Sequence, residues 1–192
     1  MKSFEGKVVP GPATLAAGLV SLEPQTVAHA QAMFDVLSDP ELYRYLDYPP
    51  PPSAEYLAER YRDQERRLSP DGRHLWLNWV VRERGGALVG YVQSTVVSPD
   101  ETWVGYVLAS ASWGRGFGFD AMRAMLEHVA SAHNVTRFLA RVEAENVRSV
   151  RLLDRLLFRT ASPGEAALHR MTSTERLYVR AGLGPLEPAG GS

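Results

Sequence analysis

The chain has 192 residues, a formal net charge of −1, 45% hydrophobic residues, 22% charged residues and no cysteine. This length and composition are typical of a single globular domain that buries a sizeable core. The low net charge excludes a strong overall attraction to nucleic acid or to an anionic membrane. The absence of cysteine excludes disulfides and thiol catalysis, and the five histidines are scattered, so we expect no metal site.

The chain divides into three segments on composition. We expect residues 1–13 to form a flexible arm, residues 14–181 a single domain, and residues 182–192 a flexible tail. No apolar run reaches the length of a membrane-spanning helix, and we therefore expect a cytoplasmic protein.

In the N-terminal half, the hydrophobic pattern predicts a strand, two helices and the two strands of a hairpin. These elements lie at residues 18–22, 26–37, 54–67, 75–83 and 87–97. Ser53 is the predicted cap of the second helix, and residues 84–86 form the hairpin turn. Four arginines of the second helix alternate with acidic residues, which indicates a solvated face. They are Arg60, Arg62, Arg66 and Arg67.

Residues 113–121, WGRGFGFDA, carry three glycines at alternate positions between a predicted strand and a predicted helix. Glycine permits torsions and close approaches that a Cβ would block, and the first N–H groups of a helix lack intrahelical partners. Such groups, together with the helix dipole, bind phosphate or pyrophosphate. A plain strand-to-helix turn explains this motif equally well on its own. The run has neither the spacing of a dinucleotide fingerprint nor the lysine of a P-loop.

The second half predicts an alternation of strands and helices around this turn. The elements are a strand at residues 102–108, a helix of roughly fifteen residues after the glycines, a strand at residues 136–143, a helix at residues 145–158 and a last strand pair within residues 167–179. We therefore expect an α/β fold with one mixed, twisted, mostly antiparallel sheet that has helices on both faces.

This ordered set resembles the GNAT superfamily of acyl-CoA-dependent N-acyltransferases. Gly116 and Gly118 occupy the small positions of the family pattern R/Q-x-x-G-x-G/A, whereas Trp113 stands where Arg or Gln is usual. Asn146 and Ser149 match a second pattern, Asn-x-x-Ser, at the start of a helix. The resemblance covers roughly residues 19–180.

Two further features bear on the resemblance. Phe158 ends the second motif, but Leu157 replaces the glycine that usually precedes it. Residues 39–55 are similar to the RimJ/RimL-like branch, which acetylates ribosomal-protein N-termini and assorted small amines.

The resemblance implies acetyl-CoA as co-substrate. Its pyrophosphate is expected on a run of backbone N–H groups, in which one arginine adds a positive charge. These groups belong to Gly114, Arg115, Gly116, Phe117 and Gly118. In this fold the strand before the turn splays from the next strand, so backbone groups of Val107 and Leu108 would bind the pantetheine amides. Asn146 is expected to contact pantetheine, to cap its helix, or to do both.

The resemblance also suggests catalytic residues. Ser149 would protonate the leaving thiolate, although a solvated helix serine is an equal alternative, and Tyr106 could serve instead. Many relatives carry a glutamate where this chain has Trp103, and the nearest carboxylate is Glu101, so a dedicated base is in doubt. Neutralising an α-amino group at pH 7 costs about 1 kcal/mol against about 4.6 for a lysine, and the missing base therefore favours amines of low pKa. Trp103 and Tyr106 are expected to contact the acceptor.

Aromatic residues crowd the predicted acceptor side. They could wall an acceptor pocket, but side chains of this kind serve core packing more often. They are Trp76, Trp79, Trp103, Tyr43, Tyr45, Tyr48 and Tyr56.

The predicted function is transfer of an acetyl group from acetyl-CoA to a primary amine, either a protein N-terminus or a small molecule. The amine would attack directly in a ternary complex. The alternative is a non-catalytic CoA-binding or interaction module, which Trp103 at the usual carboxylate position suggests. We expect no metal, no nucleic-acid partner and no membrane partner, and a homodimer is left open.

Overall fold

Eight strands and five α-helices occupy residues 12–182, the part of the chain that the computed structural model describes. The strands are β1 (Leu15–Ala17), β2 (Val20–Pro24), β3 (Leu75–Glu83), β4 (Leu88–Ser98), β5 (Glu101–Leu108), β6 (Arg137–Glu143), β7 (Arg159–Thr160) and β8 (Glu175–Ala181). The α-helices are α1 (Ala30–Leu37), α2 (Ala54–Gln64), α3 (Phe117–His133), α4 (Val147–Arg155) and α5 (Pro163–Ala167).

All eight strands form one sheet in the order β1-β2-β3-β4-β5-β6-β8-β7. Every neighbouring pair is antiparallel except β5 and β6, which are parallel and connected through α3. The predicted fold class, a mixed and mostly antiparallel sheet flanked by helices, is confirmed.

The two faces of the sheet are covered by different helices, as the alternation along β5 shows. Val104 and Leu108 pack with α3 in the larger core cluster, whereas Val107 packs with α1 and α2 on the opposite face. Successive side chains of a strand point to opposite faces, so β5 contributes to both cores. This central strand connects the two layers of the molecule.

Short polar residues and glycine define the helix ends. The Ser53 hydroxyl accepts a hydrogen bond from the Tyr56 N–H at 3.2 Å, which confirms the predicted cap of α2. Helix α3 begins after Gly116 and ends before Asn134, and both of these flanking residues are left-handed.

Four predicted elements differ in the structure, and one is the helix predicted at residues 145–158, which spans only Val147–Arg155. The first strand is a hairpin of β1 and β2, and α2 ends at Gln64 rather than near residue 67. The predicted strand pair within residues 167–179 is wrong, because β8 pairs with β6 and with the two-residue β7, and α5 lies between β7 and β8. Ser162 and Glu165 form a capping box that starts α5. The predicted arm and tail fall almost entirely on residues 1–11 and 183–192, outside the described part.

Candidate functional site

The parallel strands β5 and β6 separate soon after they meet. They pair only at Thr102 with Phe138 and at Trp103 with Leu139. Beyond Trp103, residues 104–108 of β5 have no strand partner on the β6 side, although they stay paired with β4 as far as Leu108. The splay predicted from the resemblance is therefore present, and it leaves a backbone edge beside an open slot.

The glycine turn follows β5 and lies at the open end of this slot. Gly114 and Gly116 have φ of +75° and +86°, values at which a Cβ would be strained. The N–H groups of Phe119 and Asp120 both bond to the Gly116 carbonyl. The five preceding N–H groups donate to no acceptor within residues 12–182. They belong to Gly114, Arg115, Gly116, Phe117 and Gly118. This run of free donors at a helix N-terminus fits a phosphate.

Gly118 holds α3 close to its neighbours. A Cβ at this position would lie 3.1 Å from Leu152 Cδ2 of α4 and 3.2 Å from Leu108 Cδ1 of β5. The last glycine of the turn thus allows the first turn of α3 to pack directly against the strand and helix that line the slot.

Three arginines lie on the aromatic rings of the glycine turn. The pairs are Arg115 on Phe117 at 4.4 Å, Arg148 on Trp113 at 3.2 Å and Arg155 on Phe119 at 4.6 Å, each from Cζ to the ring centroid. Arg115 also forms an ion pair with Glu83 at 3.0 Å. These contacts hold three positive charges against rings of the glycine turn, and positive charge there favours a negatively charged ligand.

Asn146, Ser149 and Tyr106 meet on the α4 side of the slot. Asn146 Oδ1 accepts the Ser149 N–H at 3.2 Å, so Asn146 caps α4, and its amide nitrogen donates to no residue in the described range. The Tyr106 hydroxyl donates to the Ser149 carbonyl at 3.4 Å. Burial raises the pKa of Tyr106 to about 12, so this phenol keeps its proton at neutral pH. The Tyr106 hydroxyl of β5 therefore reaches the first turn of α4 at Ser149, the predicted proton donor.

Glu101 lies at the other end of β5. Its carboxylate accepts a hydrogen bond from Trp103 Nε1 at 3.3 Å and lies 3.9 Å from His169 Nδ1. The His169 ring contacts the Trp103 ring edge to face, with 5.1 Å between centroids. Val107 lies six positions further along the strand than Glu101, about 20 Å at the usual rise. Glu101 thus belongs to a cluster at the paired end of β5.

A second opening lies on the face that α1 and α2 cover. It has a volume of about 310 Å³, and Val107 of β5 and Gln93 of β4 form part of its wall. Five tyrosines line it: Tyr43, Tyr48, Tyr56, Tyr61 and Tyr91. This tyrosine cavity shares β5 with the slot, because Val107 pairs with Tyr91 and Gly105 with Gln93.

The predicted aromatic residues thus divide into two groups. Tyr43, Tyr48 and Tyr56 line the tyrosine cavity, whereas Trp79 is fully buried in the core. Trp103 packs beside Leu139 in a cluster over β6 and β8 and does not line this cavity. Trp76 lines a separate cavity of about 240 Å³, and Tyr45 lies under Arg44.

Four residues near these openings were missed in the sequence. Arg148 and Arg60 were indistinguishable from other exposed helix arginines, and Tyr61 and Tyr91 show no motif of their own. For Arg148 a signal existed, since it lies directly before Ser149 in the second motif. For the others, the sequence carried no signal, because the contacts join residues far apart in the chain.

Within residues 12–182, no group of histidine, aspartate and glutamate side chains could hold a metal ion. None of the helices in this range is long and apolar enough to cross a membrane.

Comparison with known proteins agrees with this geometry. The acetyltransferase (GNAT) domain family matches residues 20–159. The uncharacterized N-acetyltransferase p20 of Bacillus licheniformis is 25% identical over 150 residues, 76% of this chain and 82% of that protein.

Two solved structures share the fold. Ribosomal-protein-S5-alanine acetyltransferase from Vibrio fischeri superposes with a TM-score of 0.74 at 16% identity, covering 92% of this chain and 100% of that one. Spermidine N-acetyltransferase from Vibrio cholerae, in complex with CoA and spermine, superposes with a TM-score of 0.68 at 15% identity, covering 86% and 96%. Because the family match spans more than half of the chain, this protein belongs to the GNAT family and is an acyl-CoA-dependent acetyltransferase.

Proposed function

We propose that the protein transfers an acetyl group from acetyl-CoA to a primary amine by direct attack of the amine in a ternary complex. The observation that carries this proposal is that two stretches of backbone with unpaired hydrogen-bonding groups lie close together. The unpaired edge of β5 ends at Leu108, and the run of free N–H groups begins six residues later at Gly114. One surface suits the amides of pantetheine and the other suits a pyrophosphate, so a single extended ligand with both parts satisfies both.

The proposed contacts of CoA follow from this arrangement. Leu108 binds pantetheine through its backbone, and the free amide nitrogen of Asn146 donates from the opposite side. The prediction for Val107 is wrong, because its backbone N–H and C=O face Tyr91 of β4 and are used in the sheet. The indole Nε1 of Trp113 already donates to the Leu108 carbonyl at 2.8 Å, so that oxygen retains one lone pair for the ligand. Arg115 and Arg148 add charge at the phosphates.

Acetyl-CoA supplies the acetyl group as a thioester. In the transfer, the neutral amine nitrogen bonds to the carbonyl carbon and the carbon–sulfur bond breaks. The thiolate accepts a proton from the donor residue, and the nitrogen loses one proton, which through water restores that donor. Backbone N–H groups at the splay stabilise the oxyanion, and Ser149 donates the proton. Tyr106 is the second candidate donor, since its high pKa keeps it protonated.

We further propose that the reaction proceeds without a dedicated carboxylate base. Glu101 is held by Trp103 and His169 at the paired end of β5, away from residues 104–108. The amine must then lose its proton to water or arrive neutral, which favours acceptors of low pKa. Placement in the RimJ/RimL-like branch is supported by the shared fold of the ribosomal-protein acetyltransferase.

The test is a thiol-release assay with acetyl-CoA and a panel of amines, run beside calorimetry with CoA. We expect CoA binding and amine-dependent thiol release above the hydrolytic background. The alternative, a non-catalytic CoA-binding module, is motivated by Trp103 at the usual carboxylate position. It predicts tight CoA binding with no turnover of any peptide or small amine.

A further inference from the structure

The tyrosine cavity lies where an acceptor would have to approach the acetyl group. Its wall includes Val107, which belongs to the segment of β5 that has no partner on the β6 side, and Gln93, whose backbone pairs with Gly105. The slot opens at the edge of the same β5 segment. A molecule in the cavity therefore contacts Val107, the neighbour of Leu108, whose backbone we assign to pantetheine.

The hydroxyl groups of the cavity are not all satisfied. Tyr48 and Tyr91 share a hydrogen bond of 3.0 Å, and Tyr43 donates to the Leu37 carbonyl at 2.7 Å. The Tyr61 hydroxyl is buried and has no partner among the described residues, and Tyr61 as a whole is 4% exposed. An unsatisfied buried hydroxyl is costly, so this group is a built-in donor for a ligand.

The charge that lines the tyrosine cavity is positive. Among the described residues that line it, Arg60 is the single charged side chain, and no carboxylate is present. Within residues 12–182, Arg60 forms no ion pair. Burial raises the pKa of Tyr61 to about 12, and the Arg60 charge opposes that rise. A polycation would find no counter-charge here, whereas an anionic group would find two donors.

The walls and size restrict the rest of the ligand. Tyrosine rings, four consecutive prolines at residues 49–52 and three leucines supply flat apolar contact. The volume of about 310 Å³ lies at the small end of the range for ligand pockets. A cavity of this size and lining suits a ligand with one aromatic ring and a short aliphatic chain.

We propose that the tyrosine cavity binds a small primary amine whose aromatic ring carries an anionic group, with that group at Arg60 and Tyr61 and the amine directed towards β5. This substrate class rests on the proposed acetyltransferase function. It excludes polyamines as preferred acceptors, in contrast to the spermidine N-acetyltransferase that shares the fold.

The experiment compares four acceptors with acetyl-CoA: 4-(2-aminoethyl)benzoate, phenethylamine, spermidine and a short peptide with an N-terminal alanine. Phenethyl-type amines are mostly protonated at pH 7 and the proposed reaction has no dedicated base, so kcat/KM is compared for the neutral form of each amine. On that scale we expect the highest kcat/KM for the benzoate. Arg60→Ala should raise its KM roughly tenfold, the scale of a charge-assisted hydrogen bond, and should leave KM for phenethylamine unchanged. Tyr61→Phe should also raise KM for the benzoate selectively.

Arg62→Ala is the matched control, because Arg62 lies on the same helix, is exposed and does not line the cavity. It should change no KM. Higher kcat/KM for spermidine or the peptide, or equal effects of Arg60→Ala on the benzoate and on phenethylamine, would overturn the substrate class and leave the proposed function standing. CoA binding without acetylation of any of the four amines would instead remove the proposed function.

Discussion

The guanidinium carbon of Arg148 lies 3.2 Å from the centroid of the Trp113 indole, and the indole nitrogen donates to the Leu108 carbonyl. Trp113 occupies the motif position where relatives carry Arg or Gln, by the resemblance described above. Arg148, stacked on Trp113, thus places a positive charge at the motif position where this chain carries an uncharged tryptophan. The same contact links α4 to the end of β5 across the slot.

Arg148→Ala should weaken CoA binding by about 1–3 kcal/mol, the range for a hydrogen bond to a charged group. Arg148→Lys should recover only part of the loss, because an ammonium group retains the charge but cannot stack as a plane. Calorimetry with CoA measures both. Arg123→Ala is the control, since Arg123 is exposed on α3 and pairs with Glu127 at 3.9 Å. Equal affinity of Arg148→Ala and the unaltered protein would show that this arginine only packs against Trp113.

Arg115 is shared between Glu83 and the proposed phosphate site. Arg115→Ala should lower CoA affinity by about 1–3 kcal/mol, and the loss should shrink at high salt because the contact is exposed. Glu83→Gln should leave CoA affinity equal or higher, since it frees the guanidinium from its ion pair. If both variants leave affinity unchanged, Arg115 serves the ion pair alone and the backbone N–H groups carry the site.

Ser149 and Tyr106 compete for the role of proton donor. Ser149→Ala should lower kcat by roughly 10²–10⁴-fold, the usual effect of removing a positioned acid, with little change in CoA affinity. Tyr106→Phe should lower kcat less, because its hydroxyl is already engaged with the Ser149 carbonyl. Steady-state kinetics with saturating acetyl-CoA distinguishes the two. A larger fall for Tyr106→Phe would assign the proton to the phenol.

Most of the elements that were predicted correctly are specified by signals within a few residues of sequence. The glycines of residues 113–121, the Ser53 cap and the apolar stripe of α3 act over a few residues, so a single sequence reveals them. The prediction of a C-terminal strand pair was wrong for a physical reason. The two-residue β7 is too short to show a period, and the capping box at Ser162 and Glu165 signalled a helix that the strand assignment overlooked.

The residues that line the acceptor side could not be predicted from the sequence alone. Tyr43, Tyr61 and Tyr91 come from three separate elements, and only their tertiary packing makes them one surface. Arg60 has the exposure of an ordinary helix arginine, as the solvated face predicted, yet it also lines the cavity. Sequence spacing records none of these contacts.

Leu157 should be replaceable by glycine with a gain in stability. It has φ of +63° and is 77% exposed, directly after α4, where the Phe158 N–H bonds back to the Leu153 carbonyl at 3.0 Å. A left-handed conformation costs about 1–2 kcal/mol for a residue with a Cβ, and Leu157→Gly removes that cost. We expect a rise in Tm of about 2–4 °C by thermal unfolding.

The control for Leu157 is another exposed leucine with ordinary torsions. Leu168 is 76% exposed and has φ of −74°, so Leu168→Gly relieves no strain and should lower Tm or leave it unchanged. Equal changes in the two variants would mean that loss of exposed apolar surface, rather than backbone strain, is responsible.

The pH dependence of the reaction tests the absence of a dedicated base. Only the neutral amine attacks, so the rate should rise with pH and level off above the pKa of the acceptor. Using ordinary values of about 7.8 for an α-amino group and 10.4 for a lysine-type amine, the midpoint should move by about 2.6 pH units between such acceptors. Glu101→Gln and His169→Ala should leave each midpoint in place, because their cluster lies at the paired end of β5. Profiles of kcat/KM against pH for the two acceptors measure this. A midpoint that stays constant across acceptors and disappears in Glu101→Gln would instead identify Glu101 as the base.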